Sequence, residues 1–125
     1  MPKILIIEDD PIFQQALNEF LQAEGFETFS AVDGEEGIKL AQEKSPNLIL
    51  LDIILPKKNG YEVIADLKEK PATKKIPIVL LTNLEGIQDV EKALALGATT
   101  YLVKSDYKLE EVVGKIKEIL KMAKE

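Results

Sequence analysis

Unbroken apolar runs that each stop at a single polar residue leave this chain few ways to fold. Leu48-Ile49-Leu50-Leu51 runs into Asp52 and is followed by Ile53-Ile54-Leu55-Pro56. A short continuous apolar run reads as a strand buried on both faces, the kind found in parallel sheets. The pattern returns where Ile4-Leu5-Ile6-Ile7 meets Glu8-Asp9-Asp10, where Ile78-Val79-Leu80-Leu81 meets Thr82, and where Tyr101-Leu102-Val103 meets Lys104. Four strand ends therefore carry acid, acid, hydroxyl and ammonium. If the strands are parallel neighbours, these groups converge on one rim of the sheet, where open α/β sheets place their sites.

The segments between the runs read as helices. After a first strand over about 3–8, Asp10-Pro11 is a cap followed by proline at the first helical position. Phe13, Ala16, Leu17, Phe20 and Leu21 then share a helical face, and Gly25 stops the helix. Phe26 to Ala31 is a second strand, Asp33 caps a second helix, and Ser45-Pro46 ends it. Asn59-Gly60 reads as a turn before a helix from Tyr61 to Leu67, Lys70 to Lys75 as a polar loop, and Pro77 as the start of the fourth strand. A fourth helix uses Ile87, Val90 and Leu94 and stops at Gly97. Thr99 to Val103 is the fifth strand, and a last helix starts near Leu109. Five strand–helix units in succession predict one α/β domain over residues 1–125, with helices on both faces of a parallel sheet.

Composition removes whole classes of function. With no cysteine and no histidine the chain lacks thiolate chemistry, the usual general base and the usual transition-metal ligands, which excludes most hydrolase triads and zinc enzymes. It also lacks arginine and tryptophan. A net charge of −6 opposes direct contact with nucleic acid or an anionic membrane, and the lysine-rich stretch Lys68 to Lys75 reads as a solvated loop. No signal peptide and no long apolar span is evident, so the expected setting is cytoplasmic.

Glu8, Asp9 and Asp52 form an oxygen-only set suited to a hard cation such as Mg²⁺, with Mn²⁺ able to take its place. Lys104 offers a point charge for a phosphoryl oxygen, and Thr82 a hydroxyl donor. A carboxylate can act as nucleophile toward phosphorus, giving an aspartyl phosphate. Taken singly, each residue has a plainer reading: Asp52, Glu8 and Asp9 as caps, Thr82 as a strand former, Tyr101 as edge packing, Lys104 as a surface lysine.

The spacing of Glu8-Asp9, Asp52 with Leu55-Pro56 and Asn59-Gly60, Thr82, Gly97-Ala98 and Tyr101-Leu102-Val103-Lys104 resembles the receiver domain of bacterial two-component response regulators across nearly the whole chain. The resemblance implies a doubly wound, flavodoxin-like strand order of 2-1-3-4-5. It implies that Asp52 is the phosphoacceptor, that Glu8, Asp9, Asp52 and the backbone carbonyl of Ile54 hold Mg²⁺, and that Lys104 is the paired lysine. Thr82 and Tyr101 become the switch pair, and Asp10 a helix cap. Such a domain catalyses its own aspartyl phosphorylation and dephosphorylation. The implied partners are a histidine kinase or phosphotransfer protein and a downstream protein on the face of the fourth helix, fifth strand and fifth helix, with no direct nucleic acid and no membrane.

Three departures from that family's pattern stand out. Ser105 follows Lys104 where the family has proline, Asn83 follows Thr82 where it has a small residue, and apolar Ile54 and Leu84 occupy positions tied to phosphoryl lifetime. Neither apolar side chain can orient a water, which predicts slow self-hydrolysis. The alternative function is a pseudo-receiver, a phosphorylation-independent interaction module using the same face. A flavodoxin-like cofactor binder is disfavoured because Glu8-Asp9-Asp10 would repel a phosphate.

Overall fold

In the computed structural model ten elements alternate strand and helix: β1 (Lys3–Ile7), α1 (Pro11–Ala23), β2 (Glu27–Ala31), α2 (Gly34–Lys44), β3 (Leu48–Asp52), α3 (Gly60–Glu69), β4 (Ile78–Thr82), α4 (Ile87–Leu96), β5 (Thr100–Val103) and α5 (Leu109–Lys124). The structure describes residues 1–53, 55, 58–82, 87–104 and 108–124, of which 82, 87–89 and 122–124 are described by their backbone alone. The strands form one sheet in the order β2-β1-β3-β4-β5, every neighbouring pair parallel. This is the expected order.

The apolar runs are buried on both faces because each face has its own core. Leu5, Ile7, Ile49, Leu51, Ile78 and Leu80 pack with Ile38 of α2, Val63, Ile64 and Leu67 of α3, and Val90 and Ala93 of α4. Ile4, Ile6, Leu48, Leu50, Val79, Leu81 and Leu102 pack with Leu17 and Leu21 of α1 and with Val112, Val113, Ile116 and Ile119 of α5. The strand period of two then dictates which way the strand ends face. Continuing the alternation from Ile4 and Ile6, from Leu48 and Leu50, and from Leu102 assigns Glu8, Asp52 and Lys104 to the α1/α5 side.

Local chemistry fixes how the chain enters and leaves the helices around that rim. Asp10 caps α1 as expected, its Oδ1 accepting from the amides of Ile12 and Phe13, with Pro11 at the first helical position. Gly25 follows α1 with a φ of 93°, a conformation costly for any residue with a Cβ. Asp33 caps α2 by accepting from Glu36 N.

Asn59-Gly60 is not a free turn. Asn59 is the N-cap of α3, closing a capping box with Glu62, and the helix runs two residues beyond the expected Leu67. The apolar stripe alone did not mark these ends, because the first turn is set by polar capping. Gly60 is needed for close approach: a Cβ there would lie 2.7 Å from Ile53 Cα and 2.8 Å from Ile53 O. Its own N–H donates to that oxygen at 2.8 Å, which seats α3 against the segment leaving Asp52.

Candidate functional site

At the carboxyl end of the sheet, β1 and β3 are neighbours, and the chain leaves β1 toward β2 on one side and returns to β3 on the other. That reversal of strand order opens the crevice. Glu8, Asp9 and Asp52 meet there, with one carboxylate oxygen from each lying within 4.8 Å of the others. Glu8 is fully buried, Asp52 is buried and Asp9 is exposed, so the cluster opens to solvent on the Asp9 side.

The backbone of Glu8 is held tightly. Its N–H continues the β1–β2 ladder to Ala31 O at 3.0 Å, and Gln14 Nε2 donates to its carbonyl at 2.9 Å. Its side chain accepts from Asp10 N at Oε2, 3.1 Å away. Lys104 reaches in from the end of β5, with Nζ 3.1 Å from Asp52 Oδ2 and 2.5 Å from Glu8 Oε1. The second contact is an ion pair at a fully buried carboxylate. The ammonium also lies 4.9 Å from the centroid of the Phe13 ring on α1. Lys104 is thus half-buried and not the surface lysine its type suggests.

These contacts shift the charges. Burial pushes the Glu8 carboxyl up from 4.5 to about 7; the Lys104 ammonium opposes this and the neighbouring Asp52 reinforces it. Burial works to lower the Lys104 pKa, but Glu8 and Asp52 outweigh it and hold the ammonium above its ordinary range. Among the described residues three carboxylates stand against one ammonium, which leaves the cluster short of positive charge. Three hard oxygen donors with no nitrogen or sulfur ligand among them fit a hard divalent cation.

The structure therefore brings Glu8, Asp9, Asp52 and Lys104 together. Thr82 ends β4 on the same rim, in register with Val103, but its side chain is outside the described residues. Ile54, Asn83, Leu84 and Ser105 also lie outside the described residues. Tyr101 is on β5 opposite Leu80 and is 39% exposed. Sequence reasoning missed Gln14, whose only signal is a polar residue between the inward positions 13 and 17. It also took Phe13 as core packing alone.

A family model described as the response regulator receiver domain matches residues 4–117. The chain belongs to that family. This receiver is 38% identical over 121 residues to the DNA-binding dual master transcriptional regulator RpaA of Synechocystis sp., a match covering 97% of the chain and 50% of the relative. It spans about half the length of the curated relatives it matches. Among solved structures it resembles a response regulator from Chloroflexus aurantiacus, with a TM-score of 0.89 and 30% identity over 95% of this chain and 97% of that one. It also resembles the receiver domain of a sensor histidine kinase from Pseudomonas aeruginosa, with a TM-score of 0.82 and 26% identity over 97% and 95%. The latter holds a magnesium ion in its active site cleft. Among the described residues of the present receiver, no helix is long and apolar enough to cross a membrane.

Proposed function

We propose that this receiver, as one unit over residues 1–125, accepts a phosphoryl group on Asp52 from a histidine kinase or phosphotransfer protein. The observation that carries this reading is the meeting of the Glu8, Asp9 and Asp52 carboxylates within 4.8 Å with Lys104 bridging Glu8 and Asp52. Glu8, Asp9, Asp52 and the carbonyl of Ile54 would hold Mg²⁺ or Mn²⁺, and the magnesium in the Pseudomonas aeruginosa relative supports that assignment. Bound there, the cation would neutralise charge on the incoming phosphoryl group.

Asp52 attacks phosphorus with a carboxylate oxygen. A phosphorus–oxygen bond forms as the phosphorus–nitrogen bond of the donor breaks, and the imidazole leaves with the bonding pair. Lys104, already 3.1 Å from Asp52, has only to exchange a carboxylate for a phosphoryl oxygen. Thr82 and Tyr101 then form the switch. Tyr101 starts exposed, so an inward rotation would change the α4-β5-α5 face that a downstream protein reads. The acidic balance of the chain supports a protein partner there over a phosphate-rich one, and a cytoplasmic setting fits such a donor.

Labelling with a small phosphodonor in Mg²⁺ tests this. Wild type should label and bind beryllofluoride only when Mg²⁺ is present, and Asp52→Asn should do neither. A wild-type protein that takes up neither group would favour the phosphorylation-independent interaction module.

A further inference from the structure

The acid pair is held from behind by a side chain that phosphoryl transfer does not itself use. Gln14 sits on α1 one turn past the Asp10 cap, half-buried, and its Nε2 donates to the carbonyls of Glu8 and Ala31, both at 2.9 Å. Both amide protons are used, and their acceptors stand at the ends of the adjacent strands β1 and β2. Ala31 O also takes the Glu8 N–H, so the three groups form one closed knot.

The carbonyl of Glu8 belongs to the peptide that leads into Asp9. A change in that peptide would alter how the exposed Asp9 carboxylate meets Glu8 and Asp52, whose like charges repel it. Gln14 opposes any such change, because turning the peptide would break its bond to the Glu8 carbonyl. The neighbouring amides on the same seam do not have this reach. Asn18 donates to Ser30 Oγ at 2.5 Å and Gln22 to Thr28 Oγ1 at 2.8 Å, so both tie α1 to β2 without touching the acid pair.

We propose that Gln14 is a positioning residue for the cation site, holding the Glu8–Asp9 peptide so that Asp9 faces Glu8 and Asp52 before the cation arrives. The inference rests on the metal reading above. Partners that orient metal ligands from outside the coordination shell commonly change affinity by about 10–100-fold when removed.

The test is a calorimetric titration of the unphosphorylated protein with MgCl₂ at pH 8, paired with urea unfolding in EDTA. Gln14→Met, which keeps length and loses the donors, should bind Mg²⁺ at least about tenfold more weakly than wild type. Gln14→Ala, a strong helix former that leaves room for water at the two carbonyls, should lose at least about threefold. Asn18→Ala should lose stability on the same seam yet keep Mg²⁺ affinity within about twofold. Wild-type affinity in both Gln14 variants, or an equal loss in Asn18→Ala, overturns the positioning role while leaving the metal site standing. A wild-type protein that binds no Mg²⁺ overturns both.

Discussion

Replacing Glu8 by glutamine should stabilise the metal-free fold while weakening the site. The side chain is fully buried, and burial raises its pKa from 4.5 to about 7. A tenfold change in an equilibrium is worth about 1.4 kcal/mol, so above pH 7 the ionised carboxylate costs the folded protein about 3 kcal/mol relative to the unfolded chain. The sign follows from a folded pKa above the unfolded one. Stability linked to Glu8 is fully present below pH 4.5 and is lost as the pH rises through about 7. Glutamine keeps the shape, carries no charge at any pH, and can donate toward Asp52. Urea unfolding in EDTA, followed by circular dichroism, should therefore show Glu8→Gln about 3 kcal/mol more stable than wild type at pH 8, a midpoint shift of about 1–3 M. The gap should shrink below about 1 kcal/mol at pH 5. Magnesium should reverse part of it, since at ten times its Kd a ligand stabilises by about 1.4 kcal/mol and the variant has lost one ligand. A variant less stable than wild type at pH 8, or a gap independent of pH, would refute the view that burial and Asp52 outweigh the Lys104 ion pair at Glu8.

Gly60→Ala should cost about 1–3 kcal/mol in urea unfolding and slow phosphodonor labelling, since the new Cβ meets Ile53 backbone at 2.7 and 2.8 Å. Unchanged labelling would mean the segment after Asp52 adjusts freely. Thr73→Val should lower stability by about 1–2 kcal/mol without affecting labelling, because the buried hydroxyl donates to Leu67 O at 2.7 Å near the end of α3. The phosphorylated protein should decay slowly in Mg²⁺ buffer, since apolar Ile54 and Leu84 cannot orient an attacking water. Rapid loss of label would overturn that.

What the sequence made legible is what strand geometry determines. In a run buried on both faces, the residue that ends it inherits a side of the sheet from its parity, so Asp52 follows Leu48 and Leu50, and Glu8 follows Ile4 and Ile6. The parallel order then puts the ends of β1 and β3 side by side. Depth was not legible in this way. Nothing in the local sequence says that Glu8 is buried beyond Asp52, because its cover comes from neighbouring elements, among them the turn into α1 that brings Asp10 N to its carboxylate. The same holds for Lys104, drawn inward by two carboxylates from distant strands and by the Phe13 face. The lysine-rich loop over 70–75 hid a buried threonine for a related reason. Thr73 is covered by tertiary packing and bonded to α3, while the flanking lysines set the apparent polarity.

The charge balance explains why so much structure converges behind the acid pair. On the proposed reading, transfer to Asp52 adds a phosphoryl group of about two negative charges beside Glu8 and Asp9. Among the described residues the nearby ammonium is Lys104, which leaves about three charges uncompensated, and the chain has no arginine or histidine. A divalent cation would offset most of that charge, and it needs the carboxylates aimed before it arrives, because they repel one another while they wait. Helix α1 meets that need at two points of the Glu8 turn: Gln14 binds the Glu8 carbonyl from its first turns, and its cap residue Asp10 donates to the Glu8 side chain. A weaker tie at either point should appear first as lost cation affinity and only later as lost fold, because neither core of the sheet includes Glu8, Asp10 or Gln14.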